Sequence, residues 1–126
     1  MKITITILFL LSSLVSCKEQ AKEQVKEQLI KVDVATFKEK ISKSNVQLVD
    51  VRTPKEYEQG HIENAILIDY FSENFKEQFQ KLDKDKAIYI YCRSGNRSGK
   101  SSKILVDLGF TEIIDLIGGY KAWSPQ

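Results

Sequence analysis

The regular alternation of short strand-like apolar runs with helical patterns limits this chain to few architectures. Ile30–Val32, Gln47–Val51, Ala65–Ile68, Ala87–Tyr91 and Ile113–Ile117 are brief, apolar and rich in branched and aromatic residues, as buried strands are. Between the first two, Asp33 is placed to N-cap a helix carrying Val34, Phe37 and Ile41. Pro54 opens a short helical turn that Gly60 closes. Phe75, Phe79 and Leu82 have helical spacing, and a longer helix from about Arg97 to Leu108 stops at Gly109. Gly118-Gly119 then leads into a terminal turn holding Trp123, which is expected in the core with Phe110. Strands that alternate with helices predict an α/β fold of three layers, a mainly parallel sheet of about five strands covered on both faces.

The 126 residues fall into three parts. Residues 1–16 read as a signal peptide: Lys2 precedes an apolar segment, Ile3 to Val15, shorter than the roughly 20 residues a spanning helix needs. Leu14-Val15-Ser16-Cys17 resembles the bacterial lipobox, which implies lipidation at Cys17; a plain secretory cleavage site beside a cysteine is the alternative. Residues 17–29 repeat Lys-Glu-Gln with only Ala21, Val25 and Leu29 as a thin apolar stripe, too narrow to join a core. They read as a tether between a lipid anchor and the folded domain, residues 30–126. The expected location is exported, on the periplasmic side or cell envelope, anchored to a bacterial membrane. With 19 basic and 17 acidic residues the chain lacks the clustered basic excess of a nucleic-acid surface.

If Cys17 is acylated, the only other cysteine, Cys92, has no disulfide partner. A free cysteine is often a buried, inert strand residue. The stretch "YCRSGNRSGKSS" argues otherwise, because it sets Cys92 between a strand end and a helix start, beside Arg93 and Arg97. Ligands in such sheets bind beyond the carboxyl ends of the strands, and a helix N-terminus favours anions. Both surroundings draw a thiol toward its reactive thiolate.

Three chemistries compete for this loop. Gly95-Asn96-Arg97-Ser98-Gly99-Lys100-Ser101 approximates a nucleotide P-loop but has three residues between its glycines where the motif has four, which excludes that reading. A cysteine-dependent phosphatase or arsenate reductase has five residues between its cysteine and arginine. Here four separate Cys92 from Arg97, a smaller ring of inward amides that suits a single sulfur atom better than a phosphoryl group.

The third reading rests on the whole chain. "CRSGNRS", Asp50-Val51-Arg52 with Glu56-Tyr57, Gly60-His61-Ile62-Glu63-Asn64-Ala65, and Gly118-Gly119-Tyr120 with Trp123 together resemble the single-domain rhodanese family of thiosulfate sulfurtransferases. Asn64 stands where the family has glycine, a departure expected to affect only a turn. The resemblance implies a rhodanese-like fold and an enzyme in which Cys92 takes a sulfane sulfur from thiosulfate or a related donor, releases sulfite, and holds the sulfur as a persulfide. A thiol, or cyanide, would accept it. Arg93, Ser94, Gly95, Asn96, Arg97 and Ser98 would bind the donor and cradle the persulfide, the two arginines holding the anion. Asp50 and Arg52 would support the loop, and His61, the one histidine, is read as structural. No metal or organic cofactor is implied. Some domains of this fold act only as binding modules, but those lack the cysteine.

Overall fold

The computed structural model describes residues 28–124. The targeting segment, Cys17 and almost all of the charged tether lie outside the described residues. Strands β1 (Leu29–Val32), β2 (Gln47–Asp50), β3 (Ile66–Leu67), β4 (Ile88–Tyr91) and β5 (Ile113–Leu116) alternate with helices α1 (Val34–Ile41), α2 (Pro54–Glu58), α3 (Phe75–Gln80), α4 (Asn96–Asp107) and α5 (Gly119–Trp123). The strands form one sheet in the order β1-β5-β4-β2-β3, and every neighbouring pair is parallel. This is the expected α/β architecture, with strand boundaries shifted by no more than one residue. Among the described residues no helix is long and apolar enough to cross a membrane.

Local chemistry accounts for the boundaries. Asp33 Oδ1 accepts the Thr36 N–H at 2.8 Å and so caps α1. Thr53 and Glu56 form a reciprocal capping box that starts α2, with Pro54 in its first turn. Asn64 adopts φ +66°, a left-handed turn conformation that asparagine tolerates, so its replacement of glycine costs the fold little.

Alternation along the strands divides the core. Ile88, Ile90, Cys92, Val49, Val51 and Ile113 pack with Phe75 and Phe79 of α3, Leu105 of α4 and Phe110. Leu48, Tyr89, Tyr91, Ile114 and Leu116 face the other way and pack on Phe37 of α1, with Trp123 of α5 against that side. Phe37 is wholly buried and meets Tyr89 and Trp123 edge-on, at centroid distances of 5.8 and 6.2 Å. With only five residues, α5 is fixed to this side of the sheet in part by the aromatic corner. Phe37→Ala is expected to destabilise the domain by about 3–5 kcal/mol, measured by urea unfolding.

Candidate active site

Cys92 follows β4 directly and is 1% exposed, with its side chain on the same face as Ile90. The chain then turns through Arg93, Ser94 and Gly95 into α4. Gly95 adopts φ +112°, open to glycine and strained for other residues, and its N–H points at the Cys92 sulfur, 3.1 Å from Sγ. On the helix side, the buried Ser98 hydroxyl lies 3.4 Å from Sγ and accepts from the thiol. A backbone amide and a hydroxyl, both at the start of a helix, therefore converge on one sulfur atom.

The carbonyls of the loop point elsewhere. Cys92 O accepts from Tyr120 N–H at 2.8 Å and Arg93 O from Lys121 N–H at 3.0 Å, both in the first turn of α5. The approach is so close that a Cβ on Gly119 would lie 2.5 Å from Cys92 O and 2.6 Å from Arg93 O. Glycine is required there by space as well as by its φ of +58°.

The expected donor-binding residues divide. Arg93, Ser94 and Asn96 are exposed, and Arg93 lines an open cleft of about 830 Å³ with Arg52, Glu56, Gln59, Gly60, Tyr120 and Lys121. Cys92 itself does not line that cleft. Arg97 is engaged inside the protein: its guanidinium makes two parallel hydrogen bonds to Glu56 Oε2 and Oε1, at 2.7 and 2.8 Å. That fork raises Arg97 above its ordinary range and holds Glu56 down at about 2. Two arginines flank the thiol in sequence, but only Arg93 is presented outward.

Asp50 and Arg52 form a buried pair that lies beside the loop and ties other segments to it. Asp50 accepts the Arg52 backbone N–H at 2.9 Å and its guanidinium at 2.7–3.0 Å. Arg52 also donates to Gly60 O at 2.6 Å and lies over the Tyr120 ring at 4.3 Å. Burial alone would depress the Arg52 charge, but the hydrogen bond and attraction of Asp50 more than restore it. Tyr91, pushed upward by burial and by the Asp50 charge, keeps its hydroxyl neutral and accepts the Ile62 N–H at 3.0 Å. His61 stacks on Tyr57 at 3.6 Å, and its Nδ1 lies 2.9 Å from Tyr57 O, which makes Nδ1 the protonated nitrogen in a neutral ring.

Four residues near the site received no role from the sequence. Glu56 belonged to a matched motif, and its spacing from Thr53 signals a capping box, but nothing local shows that it reaches Arg97. Tyr120 and Lys121 follow the paired glycines without any signal that their amides hold the loop. Asp115 was legible only as one acidic residue in an otherwise apolar strand. It is 4% exposed, and burial raises its carboxyl to about 6 against the opposing effects of Ser98 and Lys31. Among the described residues no group of three or more His, Cys, Asp or Glu is arranged to hold a metal ion.

The Glu56 pair gives a pH test. Its folded value lies below the unfolded 4.5, so its stabilisation is present above pH 4.5 and is lost as pH falls toward 2. Because the pair is partly solvated, its worth is about 1 kcal/mol. Glu56→Gln should lower stability at pH 7 by about that amount and flatten the fall in melting temperature between pH 4.5 and 2.

Comparison with known proteins agrees with this geometry. Residues 33–126 match the family model described as a rhodanese-like domain. The chain is 42% identical over 80 residues to the Bacillus subtilis protein YqhL, covering 64% of this chain and 62% of that one. It is 35% identical over 88 residues to the thiosulfate sulfurtransferase GlpE of Coxiella burnetii, covering 70% and 80%. A crystal structure of a rhodanese-like domain protein from Staphylococcus aureus superposes with a TM-score of 0.67 at 31% identity, over 75% of this chain and 91% of that one. A rhodanese-related protein from Thermoplasma volcanium gives 0.65 at 32%, over 75% and 89%. By its sequence match along nearly the whole described domain, and by a fold shared with solved relatives, this chain belongs to the rhodanese-like family.

Proposed function

We propose that the protein is a sulfurtransferase that carries a sulfane sulfur on Cys92 as a persulfide. The observation that carries this reading is the Gly95 N–H directed at Sγ from 3.1 Å, at the N-terminal end of α4. A donor amide so placed stabilises negative charge on sulfur, which is what an attacking thiolate and a stored persulfide both require. Cys92 attacks the sulfane sulfur of thiosulfate or a similar anion, and sulfite leaves with the electron pair of the broken bond. A thiol then takes the sulfur and returns Cys92. Arg93 and Lys121, adjacent through the bond between Lys121 N–H and Arg93 O, are the exposed cations at the cleft suited to an anionic donor.

The phosphatase alternative is less well supported. A phosphoryl group needs a larger ring of amides and a guanidinium free to clamp its oxygens. In this loop four residues separate Cys92 from Arg97, and Arg97 is already bound at both terminal nitrogens by Glu56. Incubation with thiosulfate should add one sulfur atom to the Cys92 peptide by mass spectrometry, and a reducing thiol should remove it. Cys92→Ser should abolish turnover, while the wild type should hydrolyse aryl phosphates slowly or not at all. An unmodified Cys92 with ready aryl phosphate hydrolysis would replace this reading by the phosphatase one; no reaction with either would favour a binding module.

We further propose, from Leu14 to Cys17 and the charged residues that follow, that the domain is exported and lipid-anchored at Cys17. Cys17→Ser should shift the protein from the membrane fraction to the soluble fraction or block its processing. A soluble wild type with unmodified Cys17 would overturn this. Stable attachment requires more than one acyl chain.

A further inference from the structure

Asp115 has no part in the chemistry at Cys92. It interrupts the otherwise apolar strand β5 and is 4% exposed. Its Oδ1 is fully buried and has no hydrogen-bond partner. The two ion pairs among the described residues join Arg52 to Asp50 and Arg97 to Glu56, so no cation is paired with it. Even Lys31, its register neighbour on β1, stays exposed. A buried, unpaired carboxyl group carries a desolvation cost that an apolar residue in the strand would avoid. It calls for a partner that the domain itself does not supply.

The space for that partner exists. Asp115 lines a cavity of about 240 Å³ between β1 and α4, which shares no residue with the cleft around Arg93. Ser102, 2% exposed, lines it too; its hydroxyl donates to Ser98 O at 2.8 Å and keeps its oxygen lone pairs for a donor. Leu29 adds an apolar wall. Lys31, Lys100 and Lys103 also line the cavity, all exposed and none in an ion pair among the described residues.

The arrangement of charge selects the ligand. One carboxylate inside and three ammonium groups at the rim give the cavity a net positive charge, which repels a simple cation. A simple anion would be drawn to the lysines but kept from the interior by the carboxylate. A molecule with a positive and a negative end satisfies both. We propose that this cavity binds a compact zwitterion, a primary ammonium joined to an acid group by a short alkyl chain. The ammonium donates to the Asp115 carboxylate and to Ser102 Oγ, the alkyl chain lies against Leu29, and the acid group meets Lys31, Lys100 and Lys103. The cavity is smaller than the roughly 300–1,000 Å³ of pockets for drug-sized molecules, which restricts the chain to a few methylenes.

Neither this site nor its test depends on the sulfur-transfer reading. The full chain is titrated at pH 7 with glycine, β-alanine and 4-aminobutanoate, and with butylamine and butanoate, which each carry only one of the two charges. Binding is followed by calorimetry and by the backbone amide resonances of Ser102 and Asp115. At least one of the three amino acids should saturate the site and shift both resonances. Butylamine and butanoate should each bind at least about tenfold more weakly, the loss expected for one charged hydrogen bond. Asp115→Asn should weaken the amino acid by a similar factor. It is expected to fold, because a buried carboxyl raised to about 6 costs stability as pH climbs from 3.8 through that value, and the amide removes that cost. The surface variant Lys100→Ala with Lys103→Ala should also weaken the amino acid but leave butylamine no weaker. Failure of all three amino acids to bind would overturn the proposal, as would butanoate or butylamine binding as tightly as the best of them. An Asp115→Asn protein that binds the amino acid as the wild type does would overturn it as well.

Discussion

The loop around Cys92 depends on where its carbonyls go. Amides can face a sulfur only if the neighbouring carbonyl oxygens face away, and buried carbonyls need donors. The first turn of α5 supplies them, through Tyr120 N–H to Cys92 O and Lys121 N–H to Arg93 O. Gly119 makes this possible by leaving no Cβ between the two segments. The closing glycine pair of the sequence is thus a seat for the loop, and the aromatic corner of Phe37, Tyr89 and Trp123 holds that seat against the sheet.

A second tie comes from the opposite side. Asp50 ends β2, pairs with Arg52, and through it reaches Gly60 O and the face of Tyr120. Gly60 lies so close to Tyr120 that a Cβ would stand 2.7 Å from the tyrosine hydroxyl. The segment after β2, the turn at Gly60 and the start of α5 are therefore held together without any of them touching the sulfur. Breaking a buried pair of this kind leaves an uncompensated charge, which costs more than the pair itself contributes.

The elements and their parallel, layered arrangement were legible in the sequence because each strand is a short apolar run and two helices carry a clear local start signal, Asp33 and Pro54. Cys92 was legible as the candidate reactive residue for a related reason: it stands between a buried strand and a glycine-rich turn, beside two arginines. The partners of the arginines were not legible. Arg97 meets a carboxylate 41 positions earlier, and no periodicity reports a contact of that span. The expectation that both arginines face the donor treated them alike because they are neighbours in sequence. In the fold, Arg93 lies on the loop's outer side, whereas the helical turn carries Arg97 back toward α2.

The distribution of charge follows from these contacts. Of the cations around the loop, Arg52 and Arg97 are each matched by a carboxylate, Asp50 and Glu56, and serve to hold segments in place. Arg93 and Lys121 remain exposed at the cleft, on long side chains that keep their rotamer freedom. Two solvated cations attract a small anion but hold it weakly, because water and salt screen them. In the proposed reaction, weak capture would suit a site from which sulfite has to leave after each transfer. Stronger stabilisation falls on the sulfur of the buried Cys92, at which the half-buried Gly95 amide points in surroundings less screened than the rim. On that proposal the donor is held loosely at the rim, while the Gly95 amide and the Ser98 hydroxyl converge on the Cys92 sulfur itself.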